Sequence, residues 1–120
     1  MTLTVNQLSF KQEVLTSSTP VLVNFWAPWC GVCKLVSPML SEIQAEWDQQ
    51  LKFVEINADE NLRLSSSYQL VTLPTVLLFD QGSLLCRVDK LSNRSDFQKA
   101  ADELQRVLES LSISKYSYSA

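Results

Sequence analysis

Cys30 and Cys33 lie three residues apart in Trp29-Cys30-Gly31-Val32-Cys33-Lys34, directly after the apolar run Val21 to Trp26. A thiol at the first position of a helix that follows a strand is surrounded by unpaired backbone N–H groups and faces the positive end of the helix macrodipole. Both favour thiolate over thiol, and the thiolate is the form that attacks disulfides. Cys33 falls one helical turn further on the same face. Its sulfur can therefore close onto that of Cys30 and expel whatever Cys30 has captured. Two thiols so placed make a two-electron redox switch. The bland readings are a structural zinc half-site or two core thiols, and zinc needs about four cysteine or histidine ligands. The chain has no histidine and one further cysteine, Cys86. Cys86 alternates with Leu84 and Val88 in an apolar stretch and reads as a small packed hydrophobe.

The elements that must hold this pair are legible in the hydrophobic pattern. Val21 to Ala27 is nearly unbroken apolar sequence, as expected for a strand covered on both faces. From Gly31 to about Trp47, Val32, Leu35, Val36, Met39, Leu40, Ile43 and Trp47 recur at helical spacing. Pro38 inside that stretch removes the hydrogen bond to the Lys34 carbonyl, so a bend is expected there. Phe53 to Ala58 reads as a strand parallel to the first, followed by a short helix over Asn61 to Tyr68. Thr75 to Phe79 and Leu84 to Val88 flank Asp80-Gln81-Gly82-Ser83 and predict an antiparallel hairpin. Asn93-x-x-Asp96 caps a last helix carrying the stripe Phe97, Ala100, Ala101, Leu104, Val107, Leu108 and Leu111. At the other end, Leu3 to Val5 suggests a brief edge strand. Ser9 and Gln12 have the spacing of a capping box for a first helix of about two turns.

With 120 residues, 46% of them apolar, the chain fits one domain able to bury a core. Residues 1–111 are expected to form it, and 112–120 to be a frayed, serine-rich polar tail. A net charge of −3, from ten basic and thirteen acidic residues scattered along the chain, argues against a nucleic-acid surface. Three cysteines, one left over, suit a reducing compartment, and the expectation is cytoplasmic. Met1 to Phe10 has neither a basic start nor a continuous apolar stretch, and no segment approaches the roughly 18 apolar residues of a membrane span. Neither secretion nor membrane insertion is expected.

Phe25-Trp26-Ala27-Pro28-Trp29-Cys30-Gly31-Val32-Cys33-Lys34, then Pro38, Leu73-Pro74-Thr75 and Gly82, in this order and spacing, resemble the thioredoxin family from about Ser9 to Leu108. The resemblance implies an α/β thioredoxin fold, a central mixed sheet flanked by helices in a single domain. It implies a protein dithiol-disulfide oxidoreductase, with Cys30 the exposed nucleophile and Cys33 the buried resolving thiol. A cis Leu73–Pro74 bond would pack against the pair and bind substrate polypeptide in strand-like pairing, with Trp29, Gly31 and Val32 in the same surface. The implied partners are disulfide-containing proteins and a separate thioredoxin reductase; the implied state is a monomer with no cofactor and no metal. A noncatalytic partner-binding module and a less reducing, oxidase- or isomerase-like variant are the alternatives.

Four departures from the family pattern touch the chemistry. Val32 stands where proline is usual, which shifts the redox potential toward less reducing. Asn24 stands where a buried aspartate usually helps deprotonate the second thiol, and Asn24 cannot take a proton. Glu55 replaces the lysine that usually partners that aspartate. Burial raises a carboxylate's proton affinity, so Glu55 is the candidate base for Cys33. Finally, Asp89 or Lys90, and likewise Gln69 and Thr72, fill places where glycine commonly lets a partner backbone approach.

Overall fold

The computed structural model describes the backbone of residues 2–119 and the side chains of residues 2–111. The apolar run ahead of the cysteines forms β2 (Val21–Trp26), the middle strand of a five-stranded sheet. On one side it pairs in parallel with β3 (Lys52–Asn57), which sets Asn24 opposite Glu55. On the other it pairs antiparallel with β4 (Thr75–Asp80), which continues into the hairpin partner β5 (Ser83–Val88). β1 (Thr2–Thr4) closes the far edge, parallel to β3, giving the order β1-β3-β2-β4-β5. The crossover from β2 to β3 is the long helix α1 (Gly31–Trp47), which continues through Pro38. The expected mixed sheet flanked by helices is what the chain forms.

Alternation along the strands sorts side chains onto two faces. Leu22, Phe53, Val76 and Leu78 meet Val36, Leu40 and Ile43 of α1, and Ala100, Leu104 and Leu108 of α3 (Arg94–Ser119). Val23, Phe25, Val54, Ile56, Leu77 and Phe79 cover the opposite face with Phe10, Val14 and Leu64, the last from α2 (Leu62–Ser67). Each large aliphatic or aromatic side chain buried this way is worth roughly 1.5–3 kcal/mol. The sheet is therefore sandwiched at its centre, and the carboxyl end of β2, where the cysteines follow, is held from both sides.

The start of α3 is capped as its sequence predicts. Asn93 Oδ1 accepts the Asp96 N–H at 2.9 Å, and Asp96 Oδ2 accepts the Ser92 N–H and hydroxyl, each at 2.9 Å. The Ser92 N–H, first, and its hydroxyl hold the Asp96 carboxyl below its ordinary range. The helical backbone runs on to Ser119, across the stretch expected as a frayed tail from residue 112. The first helix requires a correction. It is a π-helical turn, Lys11–Leu15, with no side-chain cap at its own start. Asn6, not Ser9, supplies the capping oxygen, accepting the N–H groups of Leu8 at 2.8 Å and Ser9 at 3.0 Å. An Asn side chain reaches backbone donors two and three residues ahead, and that local bond starts the turn before Ser9 can.

Gln81 and Gly82, with φ of 54° and 81°, form the tight β4–β5 connection. Two successive positive φ values match the right-handed twist of the flanking strands. A Cβ on Gly82 would sit 2.8 Å from the Leu15 carbonyl oxygen. Gly82→Ala is expected to destabilise the fold by about 2 kcal/mol or more, combining left-handed strain with that overlap. Urea unfolding reads it; a change under about 0.5 kcal/mol, the size of an ordinary surface substitution, would contradict the geometry.

Candidate active site

β2 stops at Trp26, and the chain turns through Ala27 to Cys30, whose N–H bonds the Ala27 carbonyl at 3.1 Å. Cys30 keeps extended geometry, φ −85° and ψ 104°, and is the N-cap of α1. Its sulfur takes the place of a capping oxygen, accepting the Cys33 N–H at 3.1 Å. Cys30 and Cys33 are joined as a disulfide, with Cα atoms 5.3 Å apart. The helix start thus delivers what the spacing predicts: two sulfurs in bonding reach, the first among the free amides of a helix 17 residues long.

The Leu73–Pro74 bond is cis. Pro74 is buried, and the Leu73 carbonyl oxygen stands 3.5 Å from Cys30 Sγ. Thr75, fully buried, anchors this corner by donating its hydroxyl to the Thr72 carbonyl at 2.8 Å. Trp29 is 69% exposed beside the disulfide, and its indole N–H is held by Asp59 Oδ2 at 2.6 Å. Gly31 is exposed, with open space where a Cβ would be. Val32 is half-buried against the cysteine pair and the main core.

Cys30 requires a correction. The resemblance implies an exposed sulfur, yet Cys30 is 4% exposed and Cys33 9%. The cover is local: Ala27, Trp26, Val32 and Leu73 pack around the disulfide as one small cluster. Trp26 is itself half-buried against the pair rather than enclosed in the main core.

Behind the sulfurs lies a cavity of about 220 Å³, walled by Cys33, Asn24, Trp26, Lys34, Ser37 and Glu55 among others. The cross-strand pairing of residues 24 and 55 puts Asn24 and Glu55 side by side in its floor. Asn24 Oδ1 and Trp26 Nε1 are buried with no partner among the described residues, in walls large and polar enough for water. Glu55 is half-buried, more open than the enclosed carboxylate the sequence suggested. A larger cavity, about 270 Å³, lies between β5 and α3, lined by charges of both signs including Lys90, Asp96, Lys99 and Glu103. None of the sulfur chemistry reaches it.

Cys86 is a free, buried thiol. Burial first, then the neighbouring Glu103 carboxylate, pushes it up to about 11, so it is inert at neutral pH. Two of the substituted glycine positions retain a glycine-like backbone: Gln69 has φ 51° and Lys90 φ 56°. Asp59 and Ser37 belong to the site and were not foreseen. Asp59 has no signal in the sequence, whereas Ser37 follows Cys33 by one helical turn.

A family model described as thioredoxin matches residues 1–106. Thioredoxin 1 of Synechococcus elongatus is 48% identical over 85 residues, covering 71% of this chain and 77% of that protein. Thioredoxin of Pyropia yezoensis is 46% identical over 85 residues, with the same coverage. Thioredoxin of Synechocystis is 39% identical over 104 residues, covering 87% of this chain and 94% of that one. No helix among the described residues is long and apolar enough to cross a membrane. A disulfide capping the helix after the central strand, with the Leu73 carbonyl against its sulfur, agrees with the match along the whole domain: this chain belongs to the thioredoxin family and is a dithiol-disulfide oxidoreductase.

Proposed function

We propose that Cys30 is the nucleophile and Cys33 the resolving thiol. The Cys30 thiolate attacks a target disulfide, forming a mixed disulfide and releasing one target thiolate. Cys33 loses its proton and attacks the Cys30 sulfur, releasing the second target thiolate and closing the Cys30–Cys33 disulfide. Two electrons pass to the target, which takes up two protons, and a separate thioredoxin reductase restores the dithiol. Nothing in the cycle calls for a cofactor within the chain. The supporting observation is the Cys33 N–H pointing at Cys30 Sγ from 3.1 Å, since the same donor stabilises negative sulfur.

The docking surface is Trp29, Gly31, Val32, Leu73 and Pro74, across which an extended polypeptide lies with its disulfide at Cys30. Glu55 receives the Cys33 proton across the cavity, a task Asn24 cannot perform. The domain, residues 1–111, acts as a cytoplasmic monomer.

Insulin precipitation with dithiothreitol tests the reading. The protein is expected to speed precipitation well above the reagent alone; no acceleration would favour a binding module that keeps the fold without turnover. Equilibration with glutathione places the potential. Val32 supplies one of the free first-turn backbone N–H groups of α1, which proline would lack, so Val32→Pro is expected to shift the potential about 20–30 mV more negative.

A further inference from the structure

The strongest arrangement outside the disulfide is a three-way grip by Arg87 of β5. Its guanidinium donates to the Tyr68 carbonyl, to the Gln69 carbonyl at 3.0 Å and to Asp89 Oδ2 at 3.0 Å. Tyr68 and Gln69 follow the end of α2 and open the segment that leads through Val71 and Thr72 to Leu73. That segment is fastened at its other end too, where Thr72 Oγ1 accepts the Lys90 N–H at 3.0 Å. Gln69 and Lys90 hold positive φ on either side of these bonds. A left-handed non-glycine backbone is strained and persists only where its surroundings over-determine it.

We propose that Arg87 is a positioning residue for polypeptide substrates: by clamping the 68–72 segment it fixes the Leu73 carbonyl beside Cys30, the backbone on which a target strand pairs. This rests on the docking surface proposed above. The guanidinium suits the task because its planar fork holds two carbonyls at once while a third N–H meets the Asp89 carboxylate. Both side chains of that ion pair are about 30% exposed, so its charge attraction is screened and its value lies in orientation. The plainer account is a cation closing the last carbonyls of a helix. It predicts a stability effect alone, because a substrate small enough to meet Cys30 directly, and a large one, would suffer equally.

The test compares Arg87→Ala with the natural chain on insulin and on 5,5′-dithiobis(2-nitrobenzoate), a small disulfide that needs no strand pairing. Expected is a KM for insulin raised about fivefold, kcat within twofold, and a rate on the small disulfide within twofold. Arg87→Lys, which keeps the charge but loses the fork, is expected to fall between the two. If Arg87→Ala does not fold, Arg87→Lys is judged by the same split, with a KM rise of about twofold. Trp29→Ala serves as the reference for docking, since it removes exposed surface and none of the clamp. An unmoved insulin KM in the Arg87 variants, with Trp29→Ala raising it, would overturn the role of Arg87 and leave the docking surface standing. An unmoved KM in all of them would overturn the docking surface, and equal losses on both substrates would reduce Arg87 to a helix cap.

Discussion

Cys30→Ser is expected to lose on the order of a thousandfold or more of the insulin-reducing activity, while Cys33→Ser keeps the first step and stalls. Serine at position 30 still caps α1, so the fold should survive; what goes is a nucleophile that ionises near neutral pH. In Cys33→Ser the attack by Cys30 proceeds, but no second sulfur stands within bonding reach to expel the target. The mixed disulfide accumulates and can be isolated with its partner attached. Cys86 does not substitute for either: it packs in the main core, apart from the cluster around the disulfide, and is pushed up to about 11. Reducing and non-reducing electrophoresis of the two variants after exposure to oxidised target checks both halves. Capture through Cys30 in Cys33→Ser, and none in Cys30→Ser, is the expected result; capture through Cys33 instead would reverse the assigned roles.

Glu55→Gln is expected to slow the resolving step by roughly ten- to a hundredfold, the range that a positioned proton acceptor supplies at its lower end. Cys33 must shed a proton to attack, the adjoining cavity is walled by Asn24, Ser37, Lys34 and Glu55 among others, and of these four only Glu55 carries a carboxylate to take it. The slowing should carry a changed pH dependence, because glutamine keeps the shape and loses the ionisation. Stopped-flow release of target thiol from the mixed disulfide, followed across pH, isolates this step from the initial attack. An unchanged profile would remove Glu55 from the reaction and leave the proton to solvent. Asn24→Asp is the complementary change, restoring an acid on β2, and is expected to recover most of the rate lost in the Glu55→Gln background.

The central strands and both long helices were legible because their signals are local. The nearly unbroken apolar run from Val21 reads as the strand β2, and the three-and-four stripe from Phe97 to Leu111 as one face of α3. The cysteine pair was legible for the same reason, its spacing being a property of a single helical turn. Ser9 misled because Asn6 carries equal capping chemistry three residues earlier, and nothing local decides which side chain closes the turn. The burial of Cys30 was hidden by distance, since Leu73, which covers it, lies 43 residues away. Arg87 was hidden for a different reason: its partners include backbone carbonyls, which every residue possesses, so no sequence pattern marks them. The juxtaposition of Asn24 and Glu55 stood between these cases. The resemblance suggested it, and the register of β2 on β3 provides its physical basis.

Everything in the mechanism depends on the sulfur at the start of α1 being the readily ionised one. The direct measurement is the pH dependence of iodoacetamide modification of the reduced protein, each cysteine followed by mass spectrometry, with buried Cys86 as internal reference. Cys30 is expected to be modified first, with a midpoint below the ordinary cysteine value of about 8.5, while Cys86 stays unmodified through neutral pH. A midpoint for Cys30 at or above that ordinary value, or faster modification at Cys33, would contradict it.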